Sequence, residues 1–226
     1  MTATPLPSTG GPPPEPARCD ASGMAEIHRM FRAGFAEAPA LVAAVRPGDT
    51  AHAAAVAAHV AALSRSLHVH HEGEDSMVWG RLEQRAPACA VHVDRMRAQH
   101  AAMLEHLDAL DRALPAWREH GGDAGPVQAA LGGVNAALAE HLPDEEATIV
   151  PVMESVMTQR EVDALGEHGR RSTPRGLMWA QLGAILAAQP DGGGAWLRTH
   201  LPPPVRVIWR VVGRRRYARY RATLIR

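Results

Sequence analysis

Residues 70–80 read HHEGEDSMVWG, and residues 141–151 read HLPDEEATIVP. The two stretches align at an offset of 71 residues, and each begins with a histidine that is followed four residues later by an acid. The aligned residues are His70 and Glu74 in the first stretch, and His141 and Glu145 in the second. Residues four apart lie on one face of an α-helix. The stretches therefore predict two helices that each project an imidazole and a carboxylate side by side.

A lone histidine precedes each stretch by about forty residues. His28 and His100 correspond at an offset of 72, and each lies in a segment with apolar residues at helical spacing. The chain therefore contains two copies of a two-helix unit, and each copy supplies one lone histidine and one pair of histidine and acid. Four such helices packed together would direct these side chains toward one interior point.

The chemistry of this set indicates a pair of metal ions. Imidazole binds iron, zinc and copper, and a carboxylate can bridge two ions. A buried carboxylate needs a positive partner, and a metal ion supplies one. A single histidine on an apolar helix face is usually an ordinary core residue, and an acidic pair is usually solvated. Four matched histidines with two matched acids are difficult to explain in that way, so the set favours a paired-metal site.

Proline and glycine divide this part of the chain into four segments with helical periodicity. The predicted helices run from Met24 to about Pro39, from Ala51 toward Pro87, from Ala88 to about His120 and from Gly125 to about Val152. No segment is a good candidate for a strand. Four helices of this length with short connections predict an all-α, up-down-up-down four-helix bundle.

The sequence divides into three regions. Residues 1–20 are rich in Pro, Gly, Ser and Thr and almost lack large apolar side chains, so we predict a disordered leader. The bundle is expected to occupy residues 21–157, and residues 158–226 are expected to form a helical extension. Thr158 and Glu161 have the spacing of a capping box at the start of the extension.

The end of the extension, residues 203–226, interleaves apolar residues with arginines and predicts a basic amphipathic helix. Such a helix suits an anionic membrane surface or a partner protein. We favour the simpler alternative, in which its apolar face packs on the bundle and its arginines are solvated or paired.

Composition excludes several classes of function. Lys and Arg together number 24, as do Asp and Glu, so we expect no nucleic-acid partner. Cys19 and Cys89 give neither a disulfide framework nor a thiolate metal site, and Cys19, in the leader, is expected to pack against nothing. The N-terminus lacks the order of a signal peptide, and no stretch has the length of a membrane span, so we expect a soluble, cytoplasmic protein.

The motifs HHEGED with the following Trp-Gly, AQHAAM at residues 98–103, and HLPDEEATIVP together resemble the hemerythrin-like, or HHE cation-binding, domain, and look like its bacterial members. The resemblance covers roughly Met24 to Glu154. It implies the bundle predicted above and a non-haem site with two iron ions per chain, with manganese or zinc as alternatives. The ligands that it implies are His28, His70, Glu74, His100, His141 and either Glu145 or Glu146.

Two of these assignments stay open. The internal repeat selects Glu145, four residues after its histidine, whereas the oxygen-carrying members use a spacing of five residues, which selects Glu146. Pro143 could rotate the helix enough to permit either. His71 with Asp75 could likewise replace the pair assigned in the first stretch, although the repeat argues against it.

The sequence departs from the oxygen-carrying members in the third helix. Those members have a second histidine one turn from the first, and here Met96 and Leu104 occupy those positions. One metal would then lack a nitrogen donor or bind water, which weakens the expectation of reversible oxygen carriage. We assign the histidines outside the motifs to the surface or to loops: His52, His59, His120, His168 and His200.

Three functional hypotheses follow from the ligand set and the resemblance. The first is a sensor or carrier whose di-iron site binds O2, NO or a reactive oxygen species. The second is an enzyme in which the same site turns over peroxide, NO or ferrous iron. The third is an interaction module in which the metal is structural and the C-terminal helix docks elsewhere.

Overall fold

The structure, a computed structural model, describes residues 19–226. In chain order its α-helices are α1 Gly23–Ala43, α2 Thr50–Met77, α3 Trp79–Arg85, α4 Ala90–His120, α5 Gly125–Thr148, α6 Val150–Val156, α7 Gln159–Ser172, α8 Met178–Ala187, α9 Gly194–His200, α10 Pro203–Ile208 and α11 Arg214–Leu224. A π-helical turn, Trp209–Gly213, joins α10 to α11. All regular elements in the described range are helical, as predicted, and none of these helices is both long enough and apolar enough to cross a bilayer. Residues 1–18 of the predicted leader lie outside the described residues.

The four long helices form a closed ring. Helix α1 packs against α2 and α5, and α4 packs against the same two helices. Short connections join consecutive members of the ring, one of them containing α3, so neighbouring helices run antiparallel. The predicted four-helix bundle with additional C-terminal helices is confirmed.

The duplication extends to the backbone. The sequence predicts one continuous second helix, but the helical geometry is interrupted at Val78 (φ −108°) before α3 begins. The same interruption occurs at Ile149 (φ −98°), between α5 and α6. The N–H groups of Val78 and Ile149 donate to the carbonyls of Glu74 and Glu145, each at 2.9 Å. Both copies of the motif therefore end in the same local structure.

Two apolar clusters lie on either side of the motif residues along the bundle. The larger includes Phe31, Phe35, Leu67, Met103, Leu107 and Leu131. The smaller includes Val78, Trp79, Met96, Ile149 and Met153. Burying a side chain of this kind contributes roughly 1.5–3 kcal/mol. The clusters hold the four helices together and keep bulk water away from the polar residues between them.

Helix α7 covers the C-terminal end of α2, which carries His70 and Glu74. It begins with the predicted capping box, in which the Thr158 side chain accepts from the Glu161 N–H and the Glu161 carboxylate accepts from the Thr158 N–H at 2.9 Å. It packs against α2 at Gly73, where a Cβ atom would lie 2.8 Å from Leu165 Cδ1. The missing side chain at Gly73 therefore lets α7 approach α2 closely, next to Glu74.

Helix α11 covers the opposite end of α2. The hydroxyl of Tyr220 and Nδ1 of His59 are hydrogen-bonded at 2.8 Å, and Nε2 of His52 donates to the carbonyl of Leu224 at 2.9 Å. Both histidines are buried. Their assignment to the surface is wrong, because the spacing within α2 does not reveal that a helix from the other end of the chain covers this face.

The apolar residues of the C-terminal segment divide into two groups. Trp209, Tyr220 and Leu224 pack inward, as predicted for the apolar face. Val207 and Val211 are exposed, so the prediction is wrong for them. The segment carries more apolar positions than the face in contact with the bundle can bury.

Cys19 is also buried, contrary to the expectation that it packs against nothing. Its backbone N–H donates to the carbonyl of Glu154, and its thiol donates to the carbonyl of Met153 at 3.3 Å. The described chain therefore begins with a residue that is fixed against α6. Cys19 and Cys89 are both free thiols.

Candidate metal centre

The four long helices direct the motif side chains into the space between the two apolar clusters. The residues that meet there are His28 from α1, His70 and Glu74 from α2, His100 from α4, and His141 and Glu145 from α5. The two glutamates are fully buried, and every imidazole of the set is at most a tenth exposed. The sequence repeat therefore brings its matched residues to one interior place.

The first candidate position lies between α1, α2 and α5. The Nε2 atoms of His28 and His70 are 3.1 Å apart. Glu74 Oε1 lies 3.0 Å from Nε2 of His70, and Glu145 Oε2 lies 3.4 Å from Nε2 of His28. One donor atom from each of these four residues lies within 4.8 Å of the others. Ligand distances of about 2 Å allow one ion to bind four donors at that spacing.

The second candidate position lies between α2, α4 and α5. The Nε2 atoms of His100 and His141 are 3.3 Å apart, and Glu74 Oε2 lies 3.5 Å from Nε2 of His100. The ring of His71 stacks on that of His100, with their centroids 4.1 Å apart. His71 joins Glu74 and the two other histidines in a second group of donors within 4.8 Å of one another.

The two glutamates lie between the two positions. Oε1 of Glu74 faces His70 and its Oε2 faces His100. Oε2 of Glu145 lies 3.4 Å from Nε2 of His28 and 3.5 Å from Nε2 of His141. Each carboxylate thus contacts imidazoles from both groups, which is the placement that a carboxylate bridging two ions requires.

Acids that follow the motif glutamates orient two of the imidazoles. Nδ1 of His28 lies 2.9 Å from Glu146, and Nδ1 of His100 lies 2.8 Å from Asp75. Asp75 and Glu146 correspond in the repeat, as the two histidines do, so each copy of the unit supplies the acid that holds the other copy's histidine.

These contacts fix the direction of the imidazole lone pairs. Burial opposes ionisation of Glu146, but hydrogen bonds from His28 and Arg32 dominate and lower its pKa to about 2. The pKa of Asp75 is lowered in the same way, as hydrogen bonds from His100 and Trp79 outweigh its burial. Both acids are therefore ionised acceptors, and each partner histidine donates from Nδ1. Nε2 then presents a free lone pair to the interior, the arrangement usual for a ligating histidine.

The electrostatics of the interior call for positive charge. Both carboxyl oxygens of Glu74 and Glu145, and Nε2 of His71, are buried without a hydrogen-bond partner among residues 19–226. Burial raises the pKa of Glu74 to about 8, and burial together with Glu74 raises the pKa of Glu145 well above its usual value. Burial lowers the pKa of His70 to about 3, so that histidine stays neutral. The raised pKa values mean that burial alone favours the protonated carboxyls, and a bound cation would favour the ionised carboxylates beside neutral imidazoles.

Comparison with known families agrees with this arrangement. The family described as hemerythrin HHE cation binding domain matches residues 20–153. The chain belongs to the hemerythrin HHE cation-binding family. Neither the curated proteins nor the solved structures that were searched contain a match.

Within this hemerythrin HHE bundle, one of the two alternative acids reaches the centre. Glu145 joins the first donor group, whereas Glu146 lies outside both groups and contacts His28 Nδ1 and Arg32. The helix continues through Pro143 without a rotation that would exchange the two acids. The internal repeat, rather than the five-residue spacing, therefore agrees with the observed geometry.

His71 is an additional candidate donor that the aligned motifs do not assign. We considered His71 as a replacement for the neighbouring His70, but the structure places both in the centre, one in each donor group. His71 gives the second group a third imidazole, whereas α4 has Met96 and Leu104 one turn from His100. The sequence feature that could have indicated a role for both histidines is their adjacency. Successive residues of a helix differ in direction by about 100°, so they can face two different neighbouring helices.

A cavity connects the second donor group to the surface. It has a volume of about 780 Å³ and lies between α2 and α4. His71, His100, Trp79 and the exposed Leu104 are among the residues that line it. Glu74 and His141 do not line the cavity, and Nε2 of His71 is buried, so the cavity reaches the edge of the second donor group.

Proposed function

We propose that this hemerythrin HHE protein binds two iron ions and uses them to bind or sense O2, NO or a reactive oxygen species. The observation that supports the proposal is the pair of overlapping donor groups that share Glu74. The carboxyl oxygens of Glu74 and Glu145 have no hydrogen-bond partner in the described part of the chain, and two cations would neutralise their charge.

The donor set fits iron. Five imidazoles and two carboxylates offer the nitrogen and oxygen donors that suit a borderline divalent metal. Neither thiol belongs to a donor group, and both Cys19 and Cys89 lie in the smaller apolar cluster. Manganese and zinc accept similar donors, so the resident metal is best identified by analysis of the purified protein.

A pair of iron ions supplies redox chemistry and open coordination positions for small ligands. The chain supplies the surroundings. Asp75 and Glu146 hold imidazoles in place, and the apolar clusters exclude bulk water. The cavity beside His71 admits a small ligand. We place this activity in the cytoplasm, where two free thiols are kept reduced.

Metal analysis and spectroscopy test the proposal. The protein is loaded with ferrous iron without oxygen, desalted and analysed for bound metal, and about two irons per chain are expected. Exposure to O2 or to NO should then change the visible absorption spectrum in proportion to the bound iron. Glu74→Gln is the matched negative variant, and Glu72→Gln, an exposed change on the same helix, is the control. Failure of the wild-type protein to retain iron would contradict the proposal.

The cavity favours one alternative function, an enzyme that turns over peroxide or NO. An opening from solution to the second donor group gives a substrate repeated access. Consumption of many equivalents of peroxide or NO per iron pair, with a suitable electron donor, would support the enzyme. A spectral change that stops after one equivalent would support the sensor or carrier.

A further inference from the structure

The C-terminal segment from Pro203 to Leu224 presents an exposed face that the metal centre does not use. Val207, Ile208, Val211 and Val212 lie on successive turns and are between 38% and 59% exposed. Single exposed apolar residues are common, but four adjacent ones on one face indicate a contact surface. We call these four residues the aliphatic stripe.

The aliphatic stripe faces outward because the opposite side of the same segment packs on α8 and, farther along, is tied to α1 of the bundle. Trp209 is buried and stacks with Trp179, at 6.2 Å between centroids. Gly213 lacks a side chain at the place where a Cβ atom would meet Trp179. Farther along, Arg221 forms a salt bridge with Glu37. The outward direction is thus set by the fold.

Arginines continue the aliphatic stripe along the helix. Arg215, Arg216 and Arg219 follow it at helical spacing, and Arg210 and Arg214 flank it. All five are exposed, and none has an acidic partner among residues 19–226. The chain contains nine arginines and no acidic residue between Gly192 and Arg226, although its net charge is zero. Positive charge is therefore concentrated at this end of the molecule.

We propose that this face binds the surface of a membrane that contains anionic phospholipid. The aliphatic stripe would enter the boundary between headgroups and acyl chains, and the arginines would contact lipid phosphates. A second copy of the chain fits less well, because a symmetric contact through the aliphatic stripe would bring two unpaired arginine arrays together. Nucleic acid would satisfy the arginines but leave the aliphatic stripe in water.

Vesicle cosedimentation of the full chain tests this proposal. The protein is expected to sediment with phosphatidylcholine vesicles that contain about one third phosphatidylglycerol, and not with phosphatidylcholine alone. Raising the salt from about 0.1 M to about 0.5 M should weaken binding severalfold, because salt screens the arginines. Inorganic phosphate at matched ionic strength should not release the protein, since the bilayer and not free phosphate is the partner.

Two sets of substitutions separate the contributions. Val207→Ser, Ile208→Ser, Val211→Ser and Val212→Ser together should lower partitioning at least about tenfold. Arg215→Gln, Arg216→Gln and Arg219→Gln together should lower it roughly a hundredfold. The matched controls are Val91→Ser, exposed on α4, and Arg170→Gln with Arg171→Gln and Arg175→Gln, exposed elsewhere in the extension. Unchanged circular dichroism establishes that each variant is folded, as expected for exposed sites.

Several outcomes would overturn the proposal. One is equal binding to neutral and anionic vesicles, and another is wild-type binding by both sets of variants. A dimer in sedimentation analysis that the serine variants abolish would instead assign the face to a second copy. Release by inorganic phosphate, or tighter binding to DNA than to anionic vesicles, would assign the arginines to another partner.

Discussion

The two halves of the bundle have nearly the same motif but offer different donor sets. The first half has His71 directly after the motif histidine, whereas the second half has the fully buried Leu142 at the corresponding place. The second candidate position therefore has three imidazoles, and the first has two imidazoles with two carboxylates. The duplicated sequence thus provides two unequal candidate metal positions, which differ in His71 and in Glu145.

The surroundings of the two halves differ as well. The C-terminal extension packs on the first half, where α7 and α11 contact α2 and α8 contacts α1. The buried His59 of α2 corresponds to Ala130 of α5. An internal repeat can thus give the two halves of a site similar residues, while a later part of the chain packs on one half and makes the halves different. Four predictions test this difference.

The largest effect is expected at Glu74, because it belongs to both donor groups and Glu145 to one. Glu74→Gln should reduce bound metal from about two ions per chain to fewer than one, and Glu145→Gln should leave about one. Elemental analysis of the purified variants measures this. Glu140→Gln, exposed on α5, is the control. Equal losses of bound metal in Glu74→Gln and Glu145→Gln would contradict the different roles proposed for the two glutamates.

Substitution of His71 tests the asymmetry directly. His71→Leu gives the first half the residue that the second half has at Leu142, so the second metal position should weaken by about a hundredfold or more. The first position should keep its affinity. Titration with a competing chelator resolves the two binding steps, and His68→Gln, on the same helix and half-buried, serves as the control. Unchanged binding in both steps would show that His71 is not a ligand.

The acids behind the imidazoles should have smaller and reciprocal effects. Asp75→Asn removes the ionised acceptor of His100, and Glu146→Gln removes that of His28. Loss of such a partner typically lowers metal affinity about 10- to 100-fold. Asp75→Asn should weaken the second position and Glu146→Gln the first. The chelator titration measures the two binding steps separately. If both variants weakened the same metal-binding step, the reciprocal arrangement would be contradicted.

The smallest effect concerns the extension and pH. Burial lowers the pKa of His59 to about 4, so His59 stays neutral in the folded protein while the unfolded chain takes up a proton below about pH 6.5. Its contribution to stability is present above that pH and is lost as the pH falls toward 4. Between pH 7 and pH 6, the free energy of unfolding should decrease by about 0.7 kcal/mol through this group.

Urea unfolding at the two pH values measures that dependence. His59→Gln should remove this pH-dependent difference of about 0.7 kcal/mol, whereas His120→Gln, exposed at the end of α4, should not. If the free energy of unfolding had the same pH dependence in wild type and in His59→Gln, the assignment of that dependence to His59 would be contradicted.

The parts of the site that were predictable from the sequence are those that depend on spacing within one helix. The pairing of His70 with Glu74 and of His141 with Glu145 follows from helical geometry. Their meeting with His28 and His100 follows from the repeat and a four-helix bundle. The second role of His71 was not predictable in this way, since it depends on which neighbouring helix each of two adjacent side chains faces. The metal and its ligand set stay predictions until metal is measured.

The sequence by itself determined the helices, their order and the duplicated motif, because hydrophobic periodicity and proline and glycine positions act over a few residues. Tertiary structure alone decided that His71 joins the second donor group, that Asp75 and Glu146 exchange partners between the halves, and that His52 and His59 are buried. Each of these outcomes depends on the rotation of one helix against another or on contact with a distant segment. Spacing within one helix does not predict such contacts, because they arise when side chains from separate helices compete for the same buried volume.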